Sequence, residues 1–255
     1  GRALFVARWR FERRVVRESF VKLSSVRGKG GDMSSNDLVD EMWQPLNSAA
    51  AASRQMGECL ASRQIDDEDL LEIAATLNDL VDKHAASPQR DKHSELMSFP
   101  WLENVYGSQP DSLSLNKGEE IIGDPFSVAS GALHPSGIGL RVFKESEESV
   151  YGVASAGRMF AGPPERVHGG IQAHLMDEMM GAVTVLCGMS AVTAFIKVNY
   201  RGPAPLEVPL SLRAWIDQID GKKVFLKATG EAEGQMFVDA EALYIKVPPE
   251  KHQGI

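Results

Sequence analysis

The apolar positions change their spacing along the chain. Between residues 37 and 83 they recur at helical period: Leu38, Met42 and Leu46, then Met56 and Leu60, then Leu70, Ile73, Leu77, Leu80 and Val81. Two helices are expected. Asp66-Asp67-Glu68-Asp69 sets negative charge at the start of the second, where the helix dipole favours it. The run reads as a solvated first turn rather than a metal site. Residues 84–130 lose the period: Pro88, Pro100, Pro110 and Pro125 fall among Ser, Gly and Asn, with Phe99, Trp101, Tyr106 and Phe126 scattered between. This segment is expected to drape over a packed surface rather than form a core, with a boundary near 125–130.

From residue 131 the texture is that of strands around one helix. Residues 139–143 and 150–160 have strand character, 168–187 has a helical period, and 191–200, 208–219, 223–233 and 236–247 are again rich in Val, Ile, Phe, Tyr and Ala. Asp220-Gly221 signals a tight hairpin and Glu233-Gly234-Gln235 a second turn. One helix cannot cover the crossovers of a parallel sheet, so an α+β arrangement follows, an antiparallel sheet wrapped on a central helix.

Composition and charge narrow the function. Hydrophobic residues make up 43% and charged residues 24% of the 255, an ordinary globular balance. No apolar run approaches the ~20 residues of a membrane span. Cys59 and Cys187 form neither a disulfide framework nor a metal-ligand spacing, and a reducing, cytoplasmic compartment is expected. Residues 1–32 hold nine Lys/Arg against three Asp/Glu, whereas the remainder is strongly acidic. A body of that charge argues against nucleic acid as a partner. The basic head 1–32 reads as disordered, upstream or vector-derived sequence ahead of a start at Met33, the alternative being an Arg-rich targeting or membrane-surface segment. Residues 33–130 form a helical, loop-rich extension and 131–255 the main domain.

The segment that carries chemistry runs from Phe160 through Gly162-Pro163-Pro164 and His168-Gly169-Gly170 to Asp177 and Gly181. At about 100° per residue, Ile171, Leu175, Met179 and Val183 share one side of the helix and suit burial. Gly170, Ala173, Asp177, Gly181 and Thr184 share the opposite side. That stripe is small, lets a backbone or ligand come close, and holds one carboxylate in its middle. The first N–H groups of the helix lack intrahelical partners and carry partial positive charge, which suits a developing oxyanion. On spacing alone a surface Asp, a plain loop-to-helix turn and an ordinary histidine remain open readings. Met176, Met179, Met180, Met189 and Met236 read as core or as an adaptable apolar lining.

His168-Gly169-Gly170 with Asp177 nine positions after the histidine resembles the signature of the hotdog thioesterases of the PaaI/4HBT type. The strand from Thr193 through Lys197, Asn199 and Arg201 to Pro205 resembles that family's Thr-x-x-Leu-x-Val-x-Tyr-x-Arg-Pro strand. The Gly-Pro-Pro lead-in and the N-terminal extension resemble the branch that holds thioesterase-superfamily members 4 and 5. The resemblance covers residues 133–248. It implies a hotdog fold and hydrolysis of acyl-CoA thioesters without a metal or redox cofactor, coenzyme A being part of the substrate. It also implies an obligate homodimer, or a dimer of dimers, with the site between subunits. Asp177 would be base or nucleophile, Gly170 the oxyanion donor through its N–H, and His168 the residue that orients the loop or contacts the thioester. Thr193 would position the attacking water, from the neighbouring subunit. Gly169, Lys197, Asn199, Arg201 and His174 are the expected substrate contacts, with Lys222 and Lys223 as further phosphate donors. Gly202 stands where the family has Arg, and a one-residue shift on a strand turns Arg201 to the other face. A non-catalytic acyl-CoA-binding protein on the same fold is the alternative; a hotdog hydratase lacks its Asp/His pair here.

Overall fold

The computed structural model describes residues 43–97, 112–163 and 165–248. The basic head, Met33, Leu38, Met42, Phe99, Trp101 and Tyr106 lie outside the described residues.

The central sheet is antiparallel throughout. Its strands are β1 (Glu120–Ile121), β2 (Arg141–Ser146), β3 (Ser149–Ala154), β6 (Ala191–Tyr200), β7 (Leu210–Asp220), β8 (Lys223–Ala232) and β9 (Gln235–Lys246), in the spatial order β1-β2-β3-β7-β8-β9-β6. A separate two-stranded piece joins β4 (Ala161–Gly162) to β5 (Arg166–Val167). Among the described residues three helices precede the main strands: α1 (Gln44–Ser62), α2 (Asp67–His84) and α3 (Lys92–Met97). The long helix α4 (Gly169–Leu186) packs against β2, β3, β6, β7, β8 and β9, so the sheet curls around it. This is the expected α+β arrangement.

Wrapping explains the burial of α4. Leu175, Met176, Met179, Met180 and Val183 are fully enclosed against inward residues such as Val150, Leu210, Leu212, Ala214, Leu226 and Val238. The enclosed face is wider than the single stripe read from the helical period, because strands approach from several sides. Each such side chain contributes about 1.5–3 kcal/mol by leaving water. Met176, Met179 and Met180 are therefore core, and Met236 is exposed.

The packed body starts earlier than the sequence boundary. β1 joins the sheet at Glu120, and Ala129 and Leu133 are buried. The stretch after residue 112 is not a drape: it fills the edge of the core. At the other end of β3, the strand stops at Ala154 rather than continuing to 160. Gly157 there precedes a single 3₁₀ turn, Arg158–Phe160.

The extension divides into two parts. α1 docks on that 3₁₀ turn. α2 has no buried residue and leaves Leu71 and Val81 well exposed. Asp66 caps α2, its carboxylate accepting the Asp69 N–H at 3.0 Å, and Asp67, Glu68 and Asp69 form its acidic first turn. No described helix is long and apolar enough to cross a membrane.

Candidate active site

Asp177 lies midway along α4, on the flank facing the paired ends of β6 and β9. Thr193 donates its hydroxyl to Asp177 Oδ1 at 3.0 Å. Tyr244 donates to the same Oδ1 at 2.6 Å and lies 2.9 Å from the Asp177 carbonyl oxygen. Thr193 and Tyr244 are direct cross-strand partners, so one rung of the sheet delivers both hydroxyls to the carboxylate. Burial, reinforced by the neighbouring Asp177 charge, pushes the Tyr244 phenol far above its ordinary range, which keeps it protonated.

One expectation changes here. Thr193, expected from a neighbouring subunit, reaches Asp177 within the same chain, because β6 follows α4 directly and folds back along it. On the small-residue stripe, a Cβ at Gly181 would stand at ordinary van der Waals distance, 4.0 Å, from the Tyr244 hydroxyl.

The start of α4 is held by a second, local set of bonds. His168 is the N-cap: its Nδ1 accepts the Gly170 N–H at 3.0 Å, and its carbonyl accepts from Ile171 at 3.0 Å and Gln172 at 3.1 Å. With Nδ1 accepting, the proton of a neutral ring sits on Nε2. The Gly170 N–H, the expected oxyanion donor, is engaged by the imidazole. The neighbouring Gly169 N–H has no partner among the described residues. Both glycines answer a steric need. A Cβ on Gly169 would meet the Tyr200 hydroxyl at 3.2 Å, and one on Gly170 would meet His168 Nδ1 at 3.1 Å. Tyr200 in turn donates to the Gly169 carbonyl at 2.9 Å, pinning the helix start to the end of β6.

The extension braces this region. The Glu58 carboxylate of α1 accepts the backbone N–H of Arg158 at 2.9 Å and of Met159 at 3.2 Å. A Cβ at Gly157 would fall 2.2 Å from Glu58 Oε2, so the glycine is what lets the carboxylate in. The Phe160 carbonyl that ends this turn accepts the His168 N–H at 2.9 Å. Glu58 thereby connects α1, through the 3₁₀ turn, to the cap of α4.

The expected phosphate contacts do not join the site. Lys197 pairs with Glu241 at 2.6 Å, Asn199 donates to Asp239 at 2.7 Å, and Arg201 also pairs with Asp239. A bulge between Thr193 and Phe195 shifts the alternation of β6 by one. After it, Tyr200 points to the helix, whereas Lys197 and Asn199 oppose Glu241 and Asp239 on the outer face, away from Asp177. The Arg201 guanidinium holds the Asp239 carboxyl below the usual carboxylate range. His174 has its Nε2 buried with no hydrogen-bond partner among the described residues, and no bond joins it to Asp177. Lys222 sits in the β7–β8 turn and Lys223 opens β8. No group of three or more His, Cys, Asp or Glu able to hold a metal ion occurs among the described residues.

The sequence reading named Asp177, Thr193, His168 and the glycines but passed over Tyr244, Tyr200 and Glu58. Only a partner far along the chain distinguishes these three from an ordinary core tyrosine or helix glutamate.

Comparison with known proteins bears on the fold and on part of the chain. Residues 165–238 match the family model described as the thioesterase superfamily. The chain is 29% identical over 113 residues to the acyl-coenzyme A thioesterase THEM4 of Bos taurus, covering 43% of this chain and 46% of the relative. It is 31% identical over 110 residues to THEM4 of Xenopus laevis, covering 42% and 49%. The chain therefore spans less than half the length of these curated relatives. The crystal structure of RHA08564, a thioesterase superfamily protein, superposes with a TM-score of 0.62 at 23% identity, over 79% of this chain and 90% of that one, and so shares the fold. The curved antiparallel sheet around the long helix α4 is the hotdog arrangement, and within it residues 165–238 match the thioesterase-superfamily model.

Proposed function

We propose that the protein hydrolyses acyl-coenzyme A thioesters. The observation that carries this reading is Asp177, a carboxylate fixed by two hydroxyls on a helix flank that small residues keep open. A side-chain carboxyl is ionised at neutral pH. It can take a proton from water as the water oxygen bonds to the thioester carbon, or bond to that carbon itself. The C–S bond then breaks and the departing thiolate takes up a proton; on the second route water afterwards cleaves the acyl–Asp177 anhydride, releasing the acid and restoring the carboxylate. The relatives named as acyl-coenzyme A thioesterases support this substrate class.

The geometry also argues for two copies of the chain. Gly169 and Asp177 are eight residues apart on one helix, hence about 12 Å along its axis. A thioester carbon within bonding reach of the carboxylate cannot place its oxygen on the Gly169 amide of the same helix, because nucleophile and oxyanion donor must lie about 3 Å from one carbonyl group. Asp177 of one copy facing the helix start of another solves this. β6 is an edge strand of ten residues with Phe195 and Tyr200 exposed, a surface suited to pairing with its own copy. We propose a homodimer formed there. A cytoplasmic setting fits the free thiols of Cys59 and Cys187.

The test is release of free thiol from a panel of acyl-CoAs by the wild type and Asp177→Asn. The expected loss is several hundredfold or more, since a positioned base contributes about 10²–10⁴. Equal rates would remove Asp177 from the mechanism, and tight acyl-CoA binding without turnover by the wild type would mark a binding protein instead.

A further inference from the structure

Asp177 has two carboxylate oxygens with room for about four hydrogen bonds, and the described residues spend their donors on one of them. Thr193 and Tyr244 both reach Oδ1; none reaches Oδ2. We infer that Tyr244 is a positioning residue of the site: together with Thr193 it fixes Oδ1, so that Oδ2 is the oxygen presented to water or to the thioester carbon. The chemistry of this inference rests on the thioesterase reading, whereas the anchoring of the carboxylate does not.

Rotation of the Asp177 carboxylate away from this orientation would break both bonds at once. The donors cannot follow, because they stand opposite each other on β6 and β9 and the ladder sets their separation. Tyr244 is 3% exposed and its ring is part of the core. Its phenol therefore remains a donor across the working pH range, and a donor to the charged form of a carboxyl favours that form. The plainer account is a core tyrosine whose hydroxyl settles its need on the Asp177 carbonyl at 2.9 Å. The contact to Oδ1 is the shorter at 2.6 Å, and a charged acceptor is the stronger one. Two other titratable groups bear on this cluster. Glu178 is the next residue and is tied by Ser127 and Ser130. His174 lies one turn earlier on the same helix.

The experiment compares wild type, Tyr244→Phe, Thr193→Ser and Thr193→Val, each checked by its thermal unfolding curve. It measures kcat and KM for an acyl-CoA. In parallel, three-bond NMR couplings read the rotamer of the Asp177 side chain, its resonances assigned by their loss in Asp177→Asn. For Tyr244→Phe the expected result is a kcat lower by about 10- to 100-fold with little change in KM, as for the loss of a bond to a charged group, and an Asp177 side chain averaged over rotamers where the wild type holds one. Thr193→Ser should resemble wild type and Thr193→Val should resemble Tyr244→Phe. A single unaltered Asp177 rotamer with unaltered kcat in both Tyr244→Phe and Thr193→Val overturns the proposal. If the wild type hydrolyses no thioester yet the rotamers average in Tyr244→Phe, the anchoring stands and the thioesterase reading falls. If the wild type is active and the rotamer stays single, the reverse holds.

Discussion

The start and the middle of the working helix are held in opposite ways. At its start, His168, Gly169 and Gly170 are organised chiefly by near neighbours, an imidazole cap and the loop carbonyl of Phe160, to which the hydroxyl of Tyr200, 31 positions on, adds one long-range bond. Eight residues further on, Asp177 is organised by side chains 16 and 67 positions distant in the chain. The start is a local structure that needs particular backbone geometry and small residues. The middle is a tertiary structure that needs a correct strand register. Substitutions at the start should therefore act through backbone shape, and substitutions around Asp177 through hydrogen bonding and charge.

That contrast can be broken by experiment. The largest effect is expected at Asp177 itself, where the amide of Asn removes the charge and leaves the fold intact. Next is Gly169→Pro, which deletes the one open amide at a first helical position, where proline is well tolerated. Its Cβ needs the exposed Tyr200 ring to yield by a few tenths of an ångström. A loss of about 10²–10³ in kcat is expected with little change in melting temperature, as for the removal of one oxyanion donor; an unchanged kcat would detach the helix start from the chemistry. Tyr244→Phe falls below both. The smallest effect is expected from Glu58→Gln, which keeps the shape but weakens the two bonds to the 3₁₀ turn. A drop of about 1–2 kcal/mol in stability and a severalfold change in kcat should appear together; a change in stability alone would mean that α1 braces the fold but not the cap.

The same contrast explains what was legible in the sequence. The spans of α4 and of β6 to β9 follow from periodicity and from turn residues; Gly221, with φ +57, sits in the hairpin that Asp220-Gly221 signalled. His168, Gly169 and Gly170 were recognisable because their roles depend on local spacing. Tyr244 was not, since nothing near it in sequence separates a tyrosine that anchors a carboxylate from one that only fills a core. The outward facing of Lys197 and Asn199 was hidden for a related reason: the bulge around Ala194 carries no Gly or Pro to announce it, yet it turns every later residue of β6 to the other face. β1, two residues long, is too short to have a period at all.

The central claim is that Asp177 of one copy works with the helix start of another, and mixed dimers test it most directly. Asp177→Asn and Gly169→Pro chains, each inactive as a homodimer, are unfolded, mixed and refolded together. A heterodimer then contains one site with an intact carboxylate facing an intact amide, and acyl-CoA hydrolysis should return to about a quarter of the wild-type rate in an equal mixture with random pairing. Activity that stays at the level of the separate variants, in a mixture shown to contain heterodimers, would place carboxylate and amide in the same chain or remove one of them from the reaction.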